Sequence, residues 1–305
     1  MKSFIEEVGN IIGFQRKDLI EKDIILHNLL LHLLKYKFFR ENFLFKGGTC
    51  LIKSYFDYYR FSEDIDFTWR EQDVFRELSQ KGIRKYLADI IDKFGDILEK
   101  YDVDFVSDKS DRKYIELAGG NKTVTFKLWY DSEILNYKTF VKVQINFVEK
   151  ILFPTEEREI KSLIHERNLY DLRTIFPHEY AGYSKNITLL TYDIREILCE
   201  KVRAILTRKG IKARDFVDIY MICRDYKVNI EKLESQIIDK TRFILKMYER
   251  YRKSFEEKRR LIERDEDLFE WGEEKSLLLT DLDEKDFYRF AEEFKETLKI
   301  LVKEL

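Results

Sequence analysis

Two short stretches of the chain carry residue types that together could bind and transfer a phosphate group. In the first, Gly47 and Gly48 end a short apolar run, and Thr49 opens a helical pattern. Glycine lets the backbone approach a ligand closely, and the free N–H groups at the start of a helix attract anions such as a triphosphate. In the second, Asp64 and Asp66 alternate with apolar residues as in a strand, which points both carboxylates to one face.

Two carboxylates placed side by side repel each other, and a hard divalent cation relieves that repulsion. Mg²⁺, or Mn²⁺ in its place, is typically held by one or two carboxylates together with substrate phosphates. We therefore predict that Asp64 and Asp66 are metal ligands and catalytic residues in phosphoryl or nucleotidyl transfer. Either motif alone is common without function. Their conjunction at two strand ends of one strand–helix–strand unit favours the catalytic interpretation.

Other residues are assigned to nucleotide binding by their positions. Ser62 precedes Asp64 by two residues and therefore shares its face of the strand. The predicted nucleotide-binding residues are Lys46, Gly47, Gly48, Thr49, Ser62, Lys201 and Arg208.

A second group of candidates follows in the C-terminal half. Lys201 and Arg208 lie along one stripe of a predicted helix, and Asp215 lies on the next helix. Lys201 could neutralise a triphosphate, and Asp215 could orient that lysine or accept a proton from an attacking hydroxyl. Both are predicted to be catalytic. The alternative is that this region carries only a surface ion pair between Arg214 and Asp218.

The hydrophobic pattern places these residues in an α+β N-terminal half followed by a helical C-terminal half. Helices are predicted over residues 18–39, after Thr49 and over 74–98. Predicted strands cover residues 43–45, 64–68, 103–106, 114–117, 124–129 and 140–148. Beyond Pro154 the pattern is almost entirely helical, so the predicted domains are 1–153 and 154–305. The last helix is amphipathic, which is typical of a core or dimer contact.

Composition limits the classes of partner. The 305 residues include 56 basic and 58 acidic side chains, so any surface for nucleic acid must be local. Residues 199–214 and 239–260 each carry a net charge of +5, whereas residues 263–286 carry −8. The basic stretches could dock RNA phosphates, or they could simply balance the acidic stretch.

Other classes are not favoured. Three separated cysteines favour neither a disulfide framework nor a zinc site. The sequence shows neither a signal peptide nor an apolar stretch long enough to span a membrane, and we expect a cytoplasmic protein.

Two blocks of sequence carry a resemblance to a known family. The first block reads Phe45-Lys46-Gly47-Gly48-Thr49-Cys50-Leu51-Ile52-Lys53 and then Arg60-Phe61-Ser62-Glu63-Asp64-Ile65-Asp66-Phe67. The second block reads Glu200-Lys201-Val202-Arg203-Ala204 and, after Arg208, Arg214-Asp215-Phe216-Val217-Asp218-Ile219-Tyr220. Together they resemble the AbiEii/AbiGii toxin family of nucleotidyltransferases, which belongs to the DNA polymerase β-like superfamily.

The resemblance implies a polymerase β-like nucleotidyltransferase domain with a mixed sheet, whose active site is completed by the helical C-terminal domain. It further implies a Mg²⁺-dependent toxin of a toxin–antitoxin and phage-defence system. Such a toxin transfers NMP from an NTP to an acceptor, with the tRNA 3′ end favoured, and a cognate antitoxin restrains it. Two alternatives stay open, namely NMP transfer to a protein hydroxyl and nucleotide binding without turnover.

The sequence departs from the superfamily pattern at one place. Polymerase β-like enzymes often carry a third carboxylate on a later strand, where this chain has Gln144 and Asn146. An amide cannot act as a general base. Either Asp215 supplies that role, or the chemistry is slow, or the protein binds nucleotide with little turnover.

Overall fold

The computed structural model describes residues 1–165 and 169–305. Within them the α-helices are α1 (Lys2–Ile12), α2 (Lys17–Leu33), α3 (Lys37–Asn42), α4 (Gly47–Tyr55), α5 (Val74–Glu77), α6 (Gln80–Leu98), α7 (Tyr170–Ile175), α8 (Pro177–Tyr183), α9 (Ile194–Thr207), α10 (Ala213–Tyr226), α11 (Glu234–Met247), α12 (Glu249–Glu263) and α13 (Glu284–Glu304). The β-strands are β1 (Phe43–Lys46), β2 (Asp64–Trp69), β3 (Ile115–Ala118), β4 (Thr123–Asp131), β5 (Lys138–Asn146), β6 (Glu156–Ile160) and β7 (Ile187–Thr191).

Residue contacts divide the chain into two compact units. The first comprises Met1–Glu149 and Thr155–Thr191, and the second comprises Lys150–Pro154 and Tyr192–Leu305. This division differs from the predicted boundary after residue 153, because β6 and β7 join the sheet of the first unit. The domain ranges 1–153 and 154–305 stay a prediction, since compactness alone does not define a domain.

The first unit is built on a sheet whose strand order is β3-β4-β5-β2-β1-β7-β6. Strand β2 pairs in parallel with β5, and β1 pairs in parallel with β7. The other neighbouring strands are antiparallel. The sheet is therefore mixed, and a helical region follows it along the chain. This confirms the predicted α+β class.

The faces of the central strands differ in polarity because side chains alternate along a strand. Ile65 and Phe67 of β2 are fully buried, and the Phe67 ring lies 6.4 Å from the ring of Phe94 on α6. Phe94 also lies 5.2 Å from Phe126 of β4. Burying each such ring stabilises the fold by roughly 1.5–3 kcal/mol. A one-residue slip would turn the polar face into this core, so the core determines the register.

Several predicted elements differ from the structure. The helix predicted over residues 18–39 is divided, because α2 ends at Leu33 and α3 begins at Lys37. Residues 103–106 form no strand, and Asp104 makes a single bridge to Trp129. The helix predicted over 74–98 is interrupted, because the Ser79 side chain accepts a hydrogen bond from the Gly82 N–H and starts α6 there.

Beyond Pro154, where an almost entirely helical pattern was predicted, the structure also contains the strands β6 and β7. Strand β6 reads Glu-Glu-Arg-Glu-Ile, a composition more typical of a helix. It lies at the edge of the sheet and pairs only with β7, so its charged side chains remain accessible to water.

The second unit packs its helices around α9, which contacts α10, α11 and α12. Glu196 of α9 is fully buried and accepts hydrogen bonds from the N–H groups of Leu152 and Phe153 at 2.8 and 2.9 Å. It also pairs with Lys240 of α11. These contacts anchor the short segment Lys150–Pro154 in the second unit.

The final helix belongs to the core of the second unit. Phe287, Phe294, Leu298 and Leu301 of α13 are buried, and α13 contacts α10, α11 and α12. The apolar side of this amphipathic helix, for which a core or dimer contact was predicted, therefore packs within this unit. Across the described part of the chain, no helix combines the length and the apolar character needed to cross a bilayer.

Candidate active site

The glycine turn at Gly47 lies directly against the side chain of Asp66. Strand β1 ends at Lys46 and α4 starts at Gly47, and the antiparallel pairing of β1 with β2 sets Lys46 opposite Asp66. Gly47 has a φ of 77°, in the left-handed region that favours glycine. A Cβ atom there would lie 2.3 Å from Oδ2 of Asp66. Both the backbone angle and the Asp66 carboxylate therefore require glycine at this position.

The second glycine is constrained from another direction. A Cβ atom on Gly48 would lie 2.9 Å from Nη2 of Arg60 and 3.2 Å from Oγ of Ser62. Arg60 is only 1% exposed, and its Nη1 donates to the Phe61 carbonyl at 2.7 Å. Arg60 was not among the predicted site residues, although it lies in the block that carries the family resemblance. A buried arginine against a glycine turn brings positive charge close to the predicted phosphate position.

The hydroxyl groups of the predicted cradle connect α4 to the start of β2. Thr49 is 1% exposed, and its Oγ1 lies 2.8 Å from the Ser62 hydroxyl. The Thr49 hydroxyl also donates to the carbonyl oxygen of Asp64. Within the described residues no side chain caps the start of α4. The first N–H groups of a helix have no partner inside it, so at this turn they are the natural donors to an anion.

Helix α4 is held in place by a buried ion pair. Lys53 of α4 lies 2.8 Å from Asp23 of α2, and both side chains are 1–2% exposed. The hydroxyls of Tyr58 and Tyr183 donate to the same carboxylate. Burial lowers the pKa of Lys53, while the carboxylate of Asp23 opposes that shift. This network fixes the helix that carries the glycine turn.

The two aspartates occupy the polar face of β2. Ile65 and Phe67 point into the core, whereas Asp64 and Asp66 are partly exposed. On the neighbouring strand β5, Lys142 lies beside Asp64 and Gln144 lies beside Asp66. Strand β5 therefore places a cation and an amide next to the aspartates, with no carboxylate at these two positions.

This donor set fits Mg²⁺ or Mn²⁺ held jointly with a substrate. Within the described residues no group of three or more His, Cys, Asp or Glu side chains could hold a metal ion. Mg²⁺ is commonly bound by one or two carboxylates plus substrate phosphates and water, and a cage made only of protein is unusual for it. Two carboxylates on one face, beside a glycine turn, match that requirement.

The C-terminal candidates form a cluster of their own in the second unit. Lys201 Nζ lies 2.8 Å from Oδ1 of Asp215 and 2.6 Å from Oδ2 of Asp218. Arg208 Nη1 lies 3.0 Å from the other oxygen of Asp215, and the Arg208 side chain is 47% exposed. Both aspartates are at most 2% exposed. Asp218 pairs with Lys201 instead of Arg214, a role that helical spacing did not predict.

The charges in this cluster are largely compensated. Burial opposes ionisation of Asp215, but Lys201 and Arg208 outweigh it, so the pKa of Asp215 lies below its usual value. A carboxylate with a lowered pKa is a weak proton acceptor near pH 7. The geometry matches orientation of Lys201 better than proton abstraction.

The predicted site residues thus form two groups. The first unit contains Lys46, Gly47, Gly48, Thr49, Ser62, Asp64 and Asp66. The second unit contains Lys201, Arg208 and Asp215. The roles assigned to these residues stay predictions.

The first group combines a glycine turn with two carboxylates on one strand face. Comparison with known families shows the class of protein to which the chain belongs. A family model described as the nucleotidyl transferase AbiEii toxin of type IV toxin–antitoxin systems matches residues 28–300. Because this match spans most of the chain, the protein belongs to the AbiEii family and is a nucleotidyltransferase. The resemblance seen in the two sequence blocks is confirmed.

Solved structures of low sequence identity also resemble the chain. The crystal structure of JHP933 from Helicobacter pylori is 15% identical, with a TM-score of 0.42, over 94% of this chain and 99% of that one. A crystal structure from H. pylori described as a candidate nucleotidyltransferase is 15% identical, with a TM-score of 0.43, over 92% and 96% of the two chains. A search of the curated proteins finds no match.

Proposed function

We propose that this nucleotidyltransferase uses Mg²⁺, or Mn²⁺ in its place, to transfer NMP from an NTP to the 3′ end of an RNA, with tRNA as the favoured acceptor. As a toxin it would act in the cytoplasm, in phage defence, under the restraint of a cognate antitoxin. The observation that carries the proposal is the position of the Asp66 carboxylate, directly against Gly47 at the start of α4.

The residues of the first unit divide the binding tasks. The glycine turn and the first N–H groups of α4 would hold the triphosphate, and the buried Arg60 adds positive charge beneath it. Asp64 and Asp66 would hold the metal. A bound Mg²⁺ neutralises phosphate charge and makes an attacking hydroxyl more acidic.

The reaction that these groups would support is a simple displacement. The acceptor hydroxyl oxygen forms a bond to the α-phosphorus of the NTP, and the bond from that phosphorus to the oxygen bridging to the β-phosphorus breaks. Pyrophosphate leaves, and the hydroxyl proton passes to solvent. Since Gln144 cannot accept a proton, a water molecule is the natural acceptor on the β5 side of the site.

Exposed cations in the second unit support an RNA acceptor. Of the nine basic residues between positions 239 and 260, Lys240 and Lys258 are buried and Arg259 is partly exposed. The six exposed ones are Arg242, Lys246, Arg250, Arg252, Lys253 and Arg260. Nucleic-acid phosphates bind exposed cations without regard to base sequence.

The proposal is tested with labelled NTP and RNA. Asp66→Ala should abolish transfer of label to RNA while circular dichroism and the unfolding temperature stay close to those of the wild type. Asp102→Ala, which removes an exposed aspartate of the same unit, is the matched control and should keep its activity. Full activity in Asp66→Ala would show that the proposed site is wrong.

The same assay separates RNA from protein as the acceptor. The enzyme is incubated with labelled NTP and cell lysate, and the product is digested with RNase or with protease. Release of the label by RNase is the expected result. Release by protease alone would overturn the RNA acceptor while keeping the enzyme class.

A further inference from the structure

The polar face that carries the aspartates continues along β5 and β4. Because β2 and β5 are parallel, Gln144 lies beside Asp66 and Lys142 beside Asp64. Phe140 precedes Lys142 by two residues on β5, so it lies on the same face of the sheet. Trp129 of β4 is its cross-strand neighbour.

Two aromatic rings lie on this face without being buried. The ring centroids of Trp129 and Phe140 are 4.6 Å apart, and both residues are partly exposed. The indole Nε1 of Trp129 donates to the carbonyl oxygen of Lys113 at 3.0 Å. This hydrogen bond fixes the orientation of the indole and leaves part of the aromatic pair accessible to a flat ligand.

Lysines border the ring pair. Lys127 Nζ lies 5.9 Å from the centroid of Phe140 and pairs with Glu116. Lys142 Nζ lies 5.7 Å from the same centroid. In the part of the chain that the structure describes, Lys142 has no hydrogen bond or ion pair. Packing of a cross-strand aromatic pair explains the rings, but it does not explain an uncompensated lysine between them and the aspartates.

Partly exposed aromatic rings next to a lysine that has no ion pair among the described residues match the chemistry of single-stranded nucleic acids. Bases stack on exposed rings whatever their sequence, and lysines contact the phosphates between them. At about 3.3 Å per residue, Phe140 lies about 13 Å along β5 from Gln144. The unpaired nucleotides that precede a 3′ hydroxyl held near Asp66 would pass over this distance.

We propose that Trp129, Phe140 and Lys142 form an acceptor subsite for the last unpaired nucleotides of an RNA 3′ end. A base stacks on the Phe140–Trp129 pair, and Lys142 contacts a phosphate between that base and the reacting hydroxyl. This inference rests on the proposed function, because it assumes that RNA is the acceptor. The proposed subsite lies within the first unit.

The stacking role is tested by exchanging flat side chains for aliphatic ones. Phe140→Leu and Trp129→Leu should each raise the KM for an oligoribonucleotide acceptor about tenfold, as expected for one lost stacked base. Phe140→Tyr keeps the ring and should restore the wild-type KM, which a purely structural role would not require. The KM for NTP should change less than twofold. Tyr170→Leu, an exposed aromatic on α7 in the same unit, is the matched control.

The charge role is tested by the salt dependence of oligoribonucleotide binding. Lys142→Gln should reduce the slope of log K against log salt concentration by about 0.7, the value for one lost phosphate contact with a single strand. Lys35→Gln, an exposed lysine without an ion pair among the described residues, should leave the slope unchanged. Equal slopes in Lys142→Gln and the wild type would overturn the assigned contact.

The results distinguish this inference from the proposed function. If wild-type enzyme modifies RNA but Phe140→Leu and Trp129→Leu keep the wild-type KM for RNA, the subsite is wrong and the function stands. If wild-type enzyme labels only protein and binds no oligoribonucleotide, both proposals fail. If transfer to RNA occurs, Phe140→Leu and Trp129→Leu raise the KM for RNA, and Phe140→Tyr and Tyr170→Leu do not, both are supported.

Discussion

Two pairs of aspartates, both part of the sequence resemblance, occupy opposite electrostatic environments. Asp64 and Asp66 lie on a partly exposed strand face beside a glycine turn, where the adjacent strand contributes Lys142 and Gln144. Asp215 and Asp218 are almost fully buried, and Lys201 bridges them. The first pair lies on a partly exposed strand face, whereas the second pair is buried around a shared lysine.

Because of this difference, we expect substitutions in the first pair to affect transfer activity and substitutions in the second cluster to affect stability. Removing the charge of Asp64, which lies on a partly exposed strand face, should cost the fold little. Removing a charge from the second cluster leaves a buried partner uncompensated, which is among the most destabilising changes a protein can suffer. The same residue type therefore has different consequences at the two places, and the following variants test that contrast.

The largest expected effect is on catalysis. Asp64→Asn should lower the rate of NMP transfer on the order of 10³-fold, because loss of a metal ligand removes several kcal/mol of charge stabilisation. Its free energy of unfolding should equal or exceed that of the wild type. Single-turnover rates and urea unfolding measure the two quantities. A strongly destabilised Asp64→Asn protein would contradict the proposed difference between the two pairs of aspartates.

Lys201→Met should mainly affect stability. It leaves Asp215 and Asp218 buried without their shared lysine, and we expect a loss of about 3–5 kcal/mol in the free energy of unfolding. Urea unfolding measures this loss, and Lys209→Met, which changes an exposed lysine of the same region, should be neutral. Wild-type stability in Lys201→Met would show that the cluster does not depend on this lysine.

Gly47→Ala combines both kinds of effect. Its positive φ should cost about 1–3 kcal/mol of stability, and the new Cβ should displace the Asp66 carboxylate and reduce transfer. Gly13→Ala provides the control, since Gly13 has a φ of 71° and a Cβ atom added there would meet nothing within 4 Å. The control should lose stability but keep transfer activity. If Gly47→Ala keeps full activity as the control does, transfer does not depend on the position of the Asp66 carboxylate against the glycine turn.

The smallest effect concerns pH. Because Lys201 and Arg208 outweigh burial and hold the pKa of Asp215 below its usual value, its contribution to stability is fully present above the unfolded pKa of about 3.9. It is lost as the pH falls through the lowered folded value. Urea midpoints should therefore fall below about pH 4 in the wild type. Asp215→Asn should be less stable at pH 7 and less sensitive to acid, whereas parallel pH curves would contradict this assignment.

Much of the local structure could be predicted because its signals are local. Alternation of acidic and apolar residues predicted β2, and the apolar run before Gly47 predicted β1. The helical pattern after Pro154 misled at β6, whose charged sequence forms a strand only because β7 provides a partner at the sheet edge. A strand that forms because of a partner distant in sequence cannot be predicted from its own residues alone.

Parts of the candidate site also required the tertiary structure. The spacing of Asp64 and Asp66 indicated a shared face, but only the β1–β2 register brings Asp66 against Gly47. The burial of Arg60 under Gly48 and the pairing of Lys201 with Asp218 were likewise not visible in sequence spacing.

The sequence by itself determined the family, the α+β class and the residue types that could bind phosphate and metal. Those properties depend on short motifs and on periodicity within a few residues. Only the tertiary structure decided which carboxylates are buried around a shared lysine and which lie on a partly exposed strand face, and where aromatic rings lie on the neighbouring strands. These outcomes depend on strand register and burial, which bring together residues far apart in the chain.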